Sequence, residues 1–328
     1  MDLSCRSSKK NKNLKEVFLG VDMGGTRIKM ALLDQQGEIE QATILDAKAE
    51  MSMEHRLEEL VADINQLLGL DCALKGIGIA FPGIIDFKNK QILSKYVKYP
   101  DAHKADISGW AEKHWQVPLL LENDARAALV GEWQHGAGKG YDNLLMVTLG
   151  TGMGSAVLLD GQLLRGRNYL AGNLGGHMSI DFEGDQCNCG NKGCVETAGS
   201  TWALQKNLEK IPGYEHSSLS KSKALSFKKV FMAAAQGDAT AEALKLKSLE
   251  AWSAAIVNLL HAYDPDKLII GGGIMESKAE IIPFIEKRIR ERSWLPETGV
   301  EIAAAVQTKY AGLQGMCHLF QMEHTLSN

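Results

Sequence analysis

This 328-residue chain has no apolar run long enough to cross a bilayer, which needs about 20 consecutive apolar residues. Its longest uncharged stretch, 143–159, is shorter than that and broken by glycines and hydroxyl residues. Residues 1–16 (MDLSCRSSKKNKNLKE) are basic but lack the apolar core of a signal peptide, so a flexible tail and a cytoplasmic protein are expected. There is no excess of one charge: 36 Lys and Arg stand against 40 Asp and Glu, a net charge of −4. Such a balance gives no global footprint for nucleic acid, and neither nucleic acid nor membrane is expected as a partner. Neither a G-x-G-x-x-G run in proper form after a strand nor a G-x-x-x-x-G-K-[ST] run is present, so no Rossmann or P-loop cradle is predicted. With 45% hydrophobic and 23% charged residues the chain is an ordinary globular one, long enough to bury a core without disulfides. The six cysteines are not spread as a disulfide framework; Cys187, Cys189 and Cys194 crowd into eight residues, which points to a metal.

What is present reads as α/β grammar. From Val17 an apolar strand (VFLGVD), a Gly-Gly turn and a second strand (RIKMALLD) predict a β-hairpin. A helix is predicted over 53–68 from the spacing of Leu57, Leu60, Val61, Ile64, Leu67 and Leu68, followed by a strand at 76–80 that ends in Phe81-Pro82-Gly83. A helix near 107–115 leads to a strand at 118–122, which delivers Asn123 and Asp124 to a strand end just before a helix at 125–135. Loops at such strand ends are where α/β proteins keep ligands. After a Gly-rich boundary at 137–142, the strand 144–149, the turn GTGMG and the strand 155–159 repeat the opening pattern, a weak internal duplication. Two related lobes, 17–136 and 137–310, are therefore expected, with 311–328 as a terminal helix returning to the first. A long helix at 239–261, a strand ending in Gly271-Gly272-Gly273 and a helix at 278–292 complete the second lobe, while the Ser/Lys-rich 217–229 reads as a solvated connector.

Glycine lets a backbone approach an anion closely and aim successive N–H groups at it. Three glycine turns occur: Asp22-Met23-Gly24-Gly25-Thr26, Leu149-Gly150-Thr151-Gly152-Met153-Gly154, and Gly271 to Gly273. One alone would be explained by turn sterics; three, two of them pairing Thr with Gly, favour phosphate. Asp124 has the chemistry of a general base for a hydroxyl attacking a phosphoryl group, and equally that of a helix N-cap, and its position leaves both open. His177 with Cys187, Cys189 and Cys194 supplies a closed set of four ligands with no vacant position, which reads as structural zinc, against the alternative of unligated thiols.

The segments DMGGTRIK (Asp22 to Lys29), Glu122-Asn123-Asp124, LGTGMG (Leu149 to Gly154) and His177 with C-N-C-G-N-K-G-C-V-E (Cys187 to Glu196) together resemble, in order and spacing, the ROK family of sugar kinases and sugar-responsive repressors. The resemblance spans roughly residues 17–320. It implies the actin-like ATPase (ribonuclease H-like) fold, two related α/β lobes around a nucleotide and sugar cleft, and an ATP-dependent hexose kinase acting on the 6-hydroxyl of a glucose-like sugar. By this likeness Asp124 is the general base, and Gly83, Asn123, Asp124, Asn173, His177 and Glu196 bind the sugar. Asp22 faces Mg²⁺, and Gly24, Gly25, Thr26, Lys29, Thr148, Gly150, Thr151, Gly152, Gly271, Gly272 and Gly273 hold ATP. His177 would both bind the structural Zn²⁺ and keep its loop near the sugar. The partner expected is a small sugar, and the assembly a homodimer or other homo-oligomer. A kinase for an N-acetylhexosamine or fructose is the alternative within the class. A sugar-sensing repressor is disfavoured, because family repressors place a helix-turn-helix domain ahead of D-x-G-G-T and only 21 residues precede Asp22 here. A catalytically silent sugar-binding protein is disfavoured because base, metal and phosphate positions are all present.

Two departures fall on the sugar side. Glucose-type members carry a Glu three residues before the zinc-binding His in an A-G-E-x-G-H run, whereas this chain reads Ala171-Gly172-Asn173-Leu174-Gly175-Gly176-His177. Leu174 cannot accept a hydrogen bond; Asn173, one step further back, can. The stretch Ser94 to Asp106 also lacks the family's Asn-Leu-x-x-Trp pattern. Ordinary use of ATP with altered sugar preference is expected.

Overall fold

Two five-stranded sheets of matching design organise the chain in the computed structural model, which describes residues 14–95, 98–294, 299–307 and 309–325. The first is built from β1 (Lys15–Met23), β2 (Arg27–Leu33), β3 (Ile39–Asp46), β4 (Cys72–Phe81) and β7 (Leu119–Asn123) in the order β3-β2-β1-β4-β7. A small ribbon of β5 (Ile85–Asp86) and β6 (Gln91–Ile92) lies between β4 and β7 in sequence. The second sheet uses β8 (Leu144–Leu149), β9 (Met153–Leu159), β10 (Gln162–Leu163), β11 (Lys267–Gly271) and β12 (Glu301–Ala304) in the order β10-β9-β8-β11-β12. In each sheet an antiparallel hairpin is extended by two parallel strands, β4 and β7 in one and β11 and β12 in the other. The duplicated grammar of the sequence is thus a duplicated sheet, and the fold is the actin-like ATPase fold that the resemblance implied.

Parallel strands of α/β sheets have both faces covered by helices. Every residue of β7 (LLLEN) and β11 (KLIIG) is accordingly buried. Nine helices among the described residues surround the sheets: α1 (Met53–Leu68), α2 (Ile107–Trp115), α3 (Asp124–His135), α4 (Val195–Gly199), α5 (Leu204–Leu208), α6 (Phe227–Ala235), α7 (Ala239–Tyr263), α8 (Lys278–Arg292) and α9 (Ala311–Thr325). Helix α1 is capped by Ser52 and turns Leu57, Leu60, Ile64 and Leu67 onto the first sheet's core. Helix α7 carries Leu249, Trp252, Ile256, Leu259 and Leu260 into the second core. Helix α9 lies against α3 and β1, and the α3–α9 crossing is close enough to demand glycine. A Cβ on Gly131 would come within 2.0 Å of Ala311 O, and one on Gly315 within 1.8 Å of Ala127 O.

Some expectations need correction. Of the tail, residues 1–13 lie outside the described residues, while Lys15 and Glu16 are already in β1, paired with Cys72 and Ala73. The segment 217–229 is only in part a solvated connector: Lys221, Lys223, Lys228 and Lys229 are exposed, but Ser217, Leu219 and Phe227 are buried, with the Phe227 ring centre 5.0 Å from that of Trp252. Three of its serines serve helix starts. Ser226 caps α6, and Ser217 and Ser218 donate to Asp238, which itself caps α7. Burial works against that carboxylate, but bonds from Ala241 N, Ser217 and Ser218 hold it down at about 2. Capping polar groups and solvated ones have the same composition, so the pattern misled. Strands β3 and β12, both at sheet edges, were not anticipated.

Candidate active site

Strand β7 ends at Asn123, and the structure separates the two roles open to the Asn-Asp pair. Asn123 is the N-cap: its Oδ1 accepts from Ala125 N and Arg126 N, both at 3.1 Å. Its Nδ2 donates to Gly83 O at 3.0 Å and to Asp124 Oδ1 at 3.2 Å, so every polar position of this amide is engaged. Asp124 begins α3 half-buried, and its Oδ1 shares the N–H of Ala125, at 2.8 Å, with the Asn123 cap. Burial first, and then the negative charge of Asp22, push Asp124 up from 3.8 to about 6, against the pull of Ala125 N and Lys29. Asp22 and Lys29 face each other across the β1–β2 hairpin, with Nζ 3.0 Å from Oδ2. A carboxyl held near neutrality beside a second acid and a lysine is suited to accept a proton at physiological pH. Gly83, at φ +142° with no room for a Cβ beside Ser94 Oγ, supplies the carbonyl that anchors Asn123.

The glycine turns differ in how open they are. At the first, Tyr99 donates to Gly24 O at 3.1 Å, and Lys98 lies over Gly25 with Nζ 3.3 Å from Thr26 Oγ1. At the second, Thr201 Oγ1 donates to Gly150 O at 2.8 Å, Gly152 abuts Glu196, and Gly154 fits between Thr148 Oγ1 and the Cβ of Ala125. The third packs onto the second: Gly272, at φ +98°, would drive a Cβ to 2.2 Å from Leu149 O. A Cβ built on Gly150 or Gly273 meets nothing within 4 Å, and Thr151 is exposed. Gly271 lies beneath, against Met146 and Ala305. The second and third turns therefore form one surface of open backbone, as an oligophosphate requires, and the Ala125–Gly154 contact sets it beside Asp124.

On the other side, Glu196 in the first turn of α4 accepts from Met153 N at 2.9 Å and from Trp202 Nε1 at 3.1 Å. Asn173 is buried, and its Oδ1 has no partner among the described residues. Ser155 pins both flanks of Asn173, donating to Gly172 O at 2.7 Å and accepting from Gly175 N at 2.9 Å. Gly176 leaves no room for a Cβ, which would fall 2.2 Å from Met153 O. The extra residue before His177 is thus taken up by two glycines packed on β9.

His177, Cys187, Cys189 and Cys194 come together, with all four ligand atoms within 4.8 Å of one another. The Cys189–Cys194 sulfur separation is 3.6 Å, and Cys187 Sγ lies 3.7 Å from His177 Nδ1. Tetrahedral zinc with sulfur at about 2.3 Å places ligand sulfurs about 3.8 Å apart, so the donor set fits in both chemistry and spacing. Burial and the neighbouring cysteines push Cys194 up to about 12, a cost that a bound dication reverses. Gly193, at φ +59° against Asp181 O, closes the loop that sets Glu196 just past the last cysteine.

Several residues around the site had no sequence signal. Lys98 lies in the segment read only as a departure. Trp202 and Ser155 act through long-range contacts, and the buried Arg126 looked like any helical surface arginine. Glu122 was visible in its motif, but not its place as a fully buried anion.

Known proteins resemble this one over nearly its whole length. The model of the ROK family matches residues 18–323. A glucokinase of Thermotoga maritima is 33% identical over 93% of this chain and 97% of its own. A xylose repressor of Bacillus subtilis is 30% identical over 84% of this chain and 68% of its own. Among solved structures, a ROK family glucokinase from Streptomyces griseus, in complex with glucose and AMPPNP, superimposes with a TM-score of 0.77 at 28% identity, covering 92% of this chain and 98% of that one. No described helix is long and apolar enough to cross a membrane.

Proposed function

Since the chain belongs to the ROK family, whose members include glucokinases and repressors, we propose that it is an ATP-dependent sugar kinase that transfers the γ-phosphoryl group to a sugar hydroxyl, the 6-hydroxyl of a glucose-like hexose. The observation that carries this reading is Asp124: half-buried at the start of a helix whose N-cap is Asn123, and raised to about 6 beside Asp22 and Lys29. A repressor has no use for a carboxyl poised to take a proton next to an open phosphate cradle.

In this mechanism Asp124 accepts the proton of the sugar hydroxyl as that oxygen attacks the γ-phosphorus and the bond to the β-phosphate bridging oxygen breaks, so the products are ADP and a sugar phosphate. Phosphoryl transfer asks mainly for positioning and charge stabilisation. The N–H groups around Gly24, Gly25, Thr151, Gly152 and Gly273 take the phosphates, with Thr26 and Lys29 at the first turn, Thr148 and Gly272 shaping the second, and Gly150, whose own N–H donates to Gly152 O, allowing close approach. Mg²⁺, when bound, supplies charge neutralisation on the phosphates, and Asp22 is the carboxylate placed to face it, directly or through water. Asn173 Oδ1 and Glu196 accept from sugar hydroxyls, Asn123 and Gly83 hold the base in place, and His177 fixes the Glu196 loop through structural zinc. With a neutral amide in place of the family's Glu, and without the Asn-Leu-x-x-Trp pattern, the enzyme is not a strict glucokinase; N-acetylhexosamines and fructose are the alternatives.

A coupled ATPase assay against a panel of hexoses and N-acetylhexosamines tests the reading. Turnover of at least one member supports it. Saturable sugar binding with no phosphorylation of any member would favour the repressor reading that the xylose repressor relative keeps in play.

A further inference from the structure

After β10 the chain leaves its own sheet and straps across to the first. Arg165 Nε donates to Glu122 Oε2 at 2.7 Å, and its guanidinium lies 4.1 Å from the centre of the Phe87 ring. Tyr169 and Asp86 lie close enough to perturb each other, the phenol being raised and the carboxyl lowered. Arg126, wholly buried in the first turn of α3, directs Nη2 at the carbonyl oxygens of Ala171 (2.7 Å), Tyr169 (3.1 Å) and Arg165 (3.5 Å). Glu122 has no exposed surface; its Oε1 accepts from Asn123 N at 2.8 Å and lies 3.5 Å from Arg126 Nη1. One buried carboxylate therefore joins two arginines that grip the strap to the backbone that presents Asp124. At the end of the strap, Ser155 holds Gly172 and Gly175, so Asn173 is carried between fixed points with its buried Oδ1 unpartnered among the described residues.

Stability alone is a poor account of this arrangement. Burying charges costs several kcal/mol per ion, and well-packed apolar replacements are often neutral or better. Among the described residues, Arg126 moreover leaves Nε and Nη1 without hydrogen-bond partners. Its use lies in geometry: a forked cation collects carbonyls that an apolar side chain could not orient.

We infer that Arg126 and Arg165, linked through Glu122, are positioning residues for the sugar: they hold the strap 164–173 against the strand end that carries Asp124, and so set sugar affinity through Asn173 without contacting sugar or ATP. The inference rests on the kinase reading for its ligand, but not for the strap's anchorage.

Arg165→Met is the test, because Arg165 is partly exposed, methionine preserves contact with Phe87, and Glu122 keeps Arg126. The probe is whichever of glucose, mannose, fructose, N-acetylglucosamine or N-acetylmannosamine the wild-type protein phosphorylates best. The expected result is a sugar KM raised at least tenfold, an ATP KM within twofold and a kcat within threefold, with amide hydrogen exchange across 166–173 at least tenfold faster. Arg165→Lys, which can still pair with Glu122, should recover part of the sugar KM. An unchanged sugar KM, or equal losses for sugar and ATP, would overturn the inference. If the wild-type protein neither binds nor phosphorylates any of these sugars, it is the kinase reading that falls. The exchange measurement then decides alone: faster exchange upholds the anchorage, and unchanged exchange overturns it.

Discussion

Replacing Asp124 by Asn should abolish most phosphoryl transfer and, at the same time, stabilise the protein in a pH-dependent way. The two effects have one cause. Burial and Asp22 raise the Asp124 carboxyl from 3.8 to about 6, so the folded protein binds this proton more tightly than the unfolded chain does. The stability from the neutral acid is fully present below about pH 4 and is lost as the pH rises through 6. A shift of about 2 units at 1.36 kcal/mol each makes ionised Asp124 a burden of about 3 kcal/mol at pH 7. Asparagine is the neutral isostere, and its Oδ1 can still accept from Ala125 N. The stability of Asp124→Asn relative to wild type should therefore rise by about 2 kcal/mol between pH 4 and pH 7 and level off above that. Denaturant unfolding of both proteins without nucleotide at several pH values measures this difference, in which the other titrating groups cancel. In parallel, kcat should fall about 10²- to 10⁴-fold, the usual contribution of a general base, while sugar binding is largely kept. Wild-type kcat/KM should decline below pH 6 as Asp124 protonates, and the variant should lose that limb. A variant that is equally or less stable at every pH, or one with near-wild-type kcat, would refute the argument.

Other predictions follow from the same geometry. Protein purified without chelator should carry one zinc per chain by elemental analysis, and removing it should lower both thermal stability and sugar affinity, because ligand binding in such a loop is folding free energy and the loop carries Glu196; absence of stoichiometric zinc contradicts this. Asn173→Ala should lower kcat/KM for the preferred sugar about tenfold or more, as loss of one buried hydrogen bond does, and leave the ATP KM unchanged; indifference to the change, with glucose turned over at about 10⁵ M⁻¹s⁻¹ or better, would show the departure from the family pattern to be neutral. Gly272→Ala should destabilise the protein and raise the ATP KM more than the sugar KM, since its Cβ would strike the Leu149 backbone at a left-handed φ; an unperturbed ATP KM would count against the third turn as part of the cradle.

What could be read from the chain alone was what near neighbours encode. A strand, a glycine turn and a second strand are legible because alternation and turn chemistry are local, and the repeat of that unit announced two matching sheets. The cluster of His177, Cys187, Cys189 and Cys194 was legible because a metal loop must bring its donors together within a short span. Family likeness then supplied the fold and the class of chemistry. The three-dimensional structure decided the rest, wherever the outcome depended on which distant groups share a buried volume. Asn123 and Asp124 both suit a helix start, and only the fold shows Asn123 capping while Asp124 is left beside Asp22, far away in the chain but on an adjacent part of the same sheet. The serines of 217–226 carry a surface composition, yet Ser217, Ser218 and Ser226 serve helix starts. Arg126 and Arg165 have no signature at all, because a long cationic side chain is compatible with solvent or with burial, and only Glu122, fully buried at the end of β7, draws them in. Periodicity and spacing report what a segment prefers by itself; charge, burial and proton affinity belong to the assembled site.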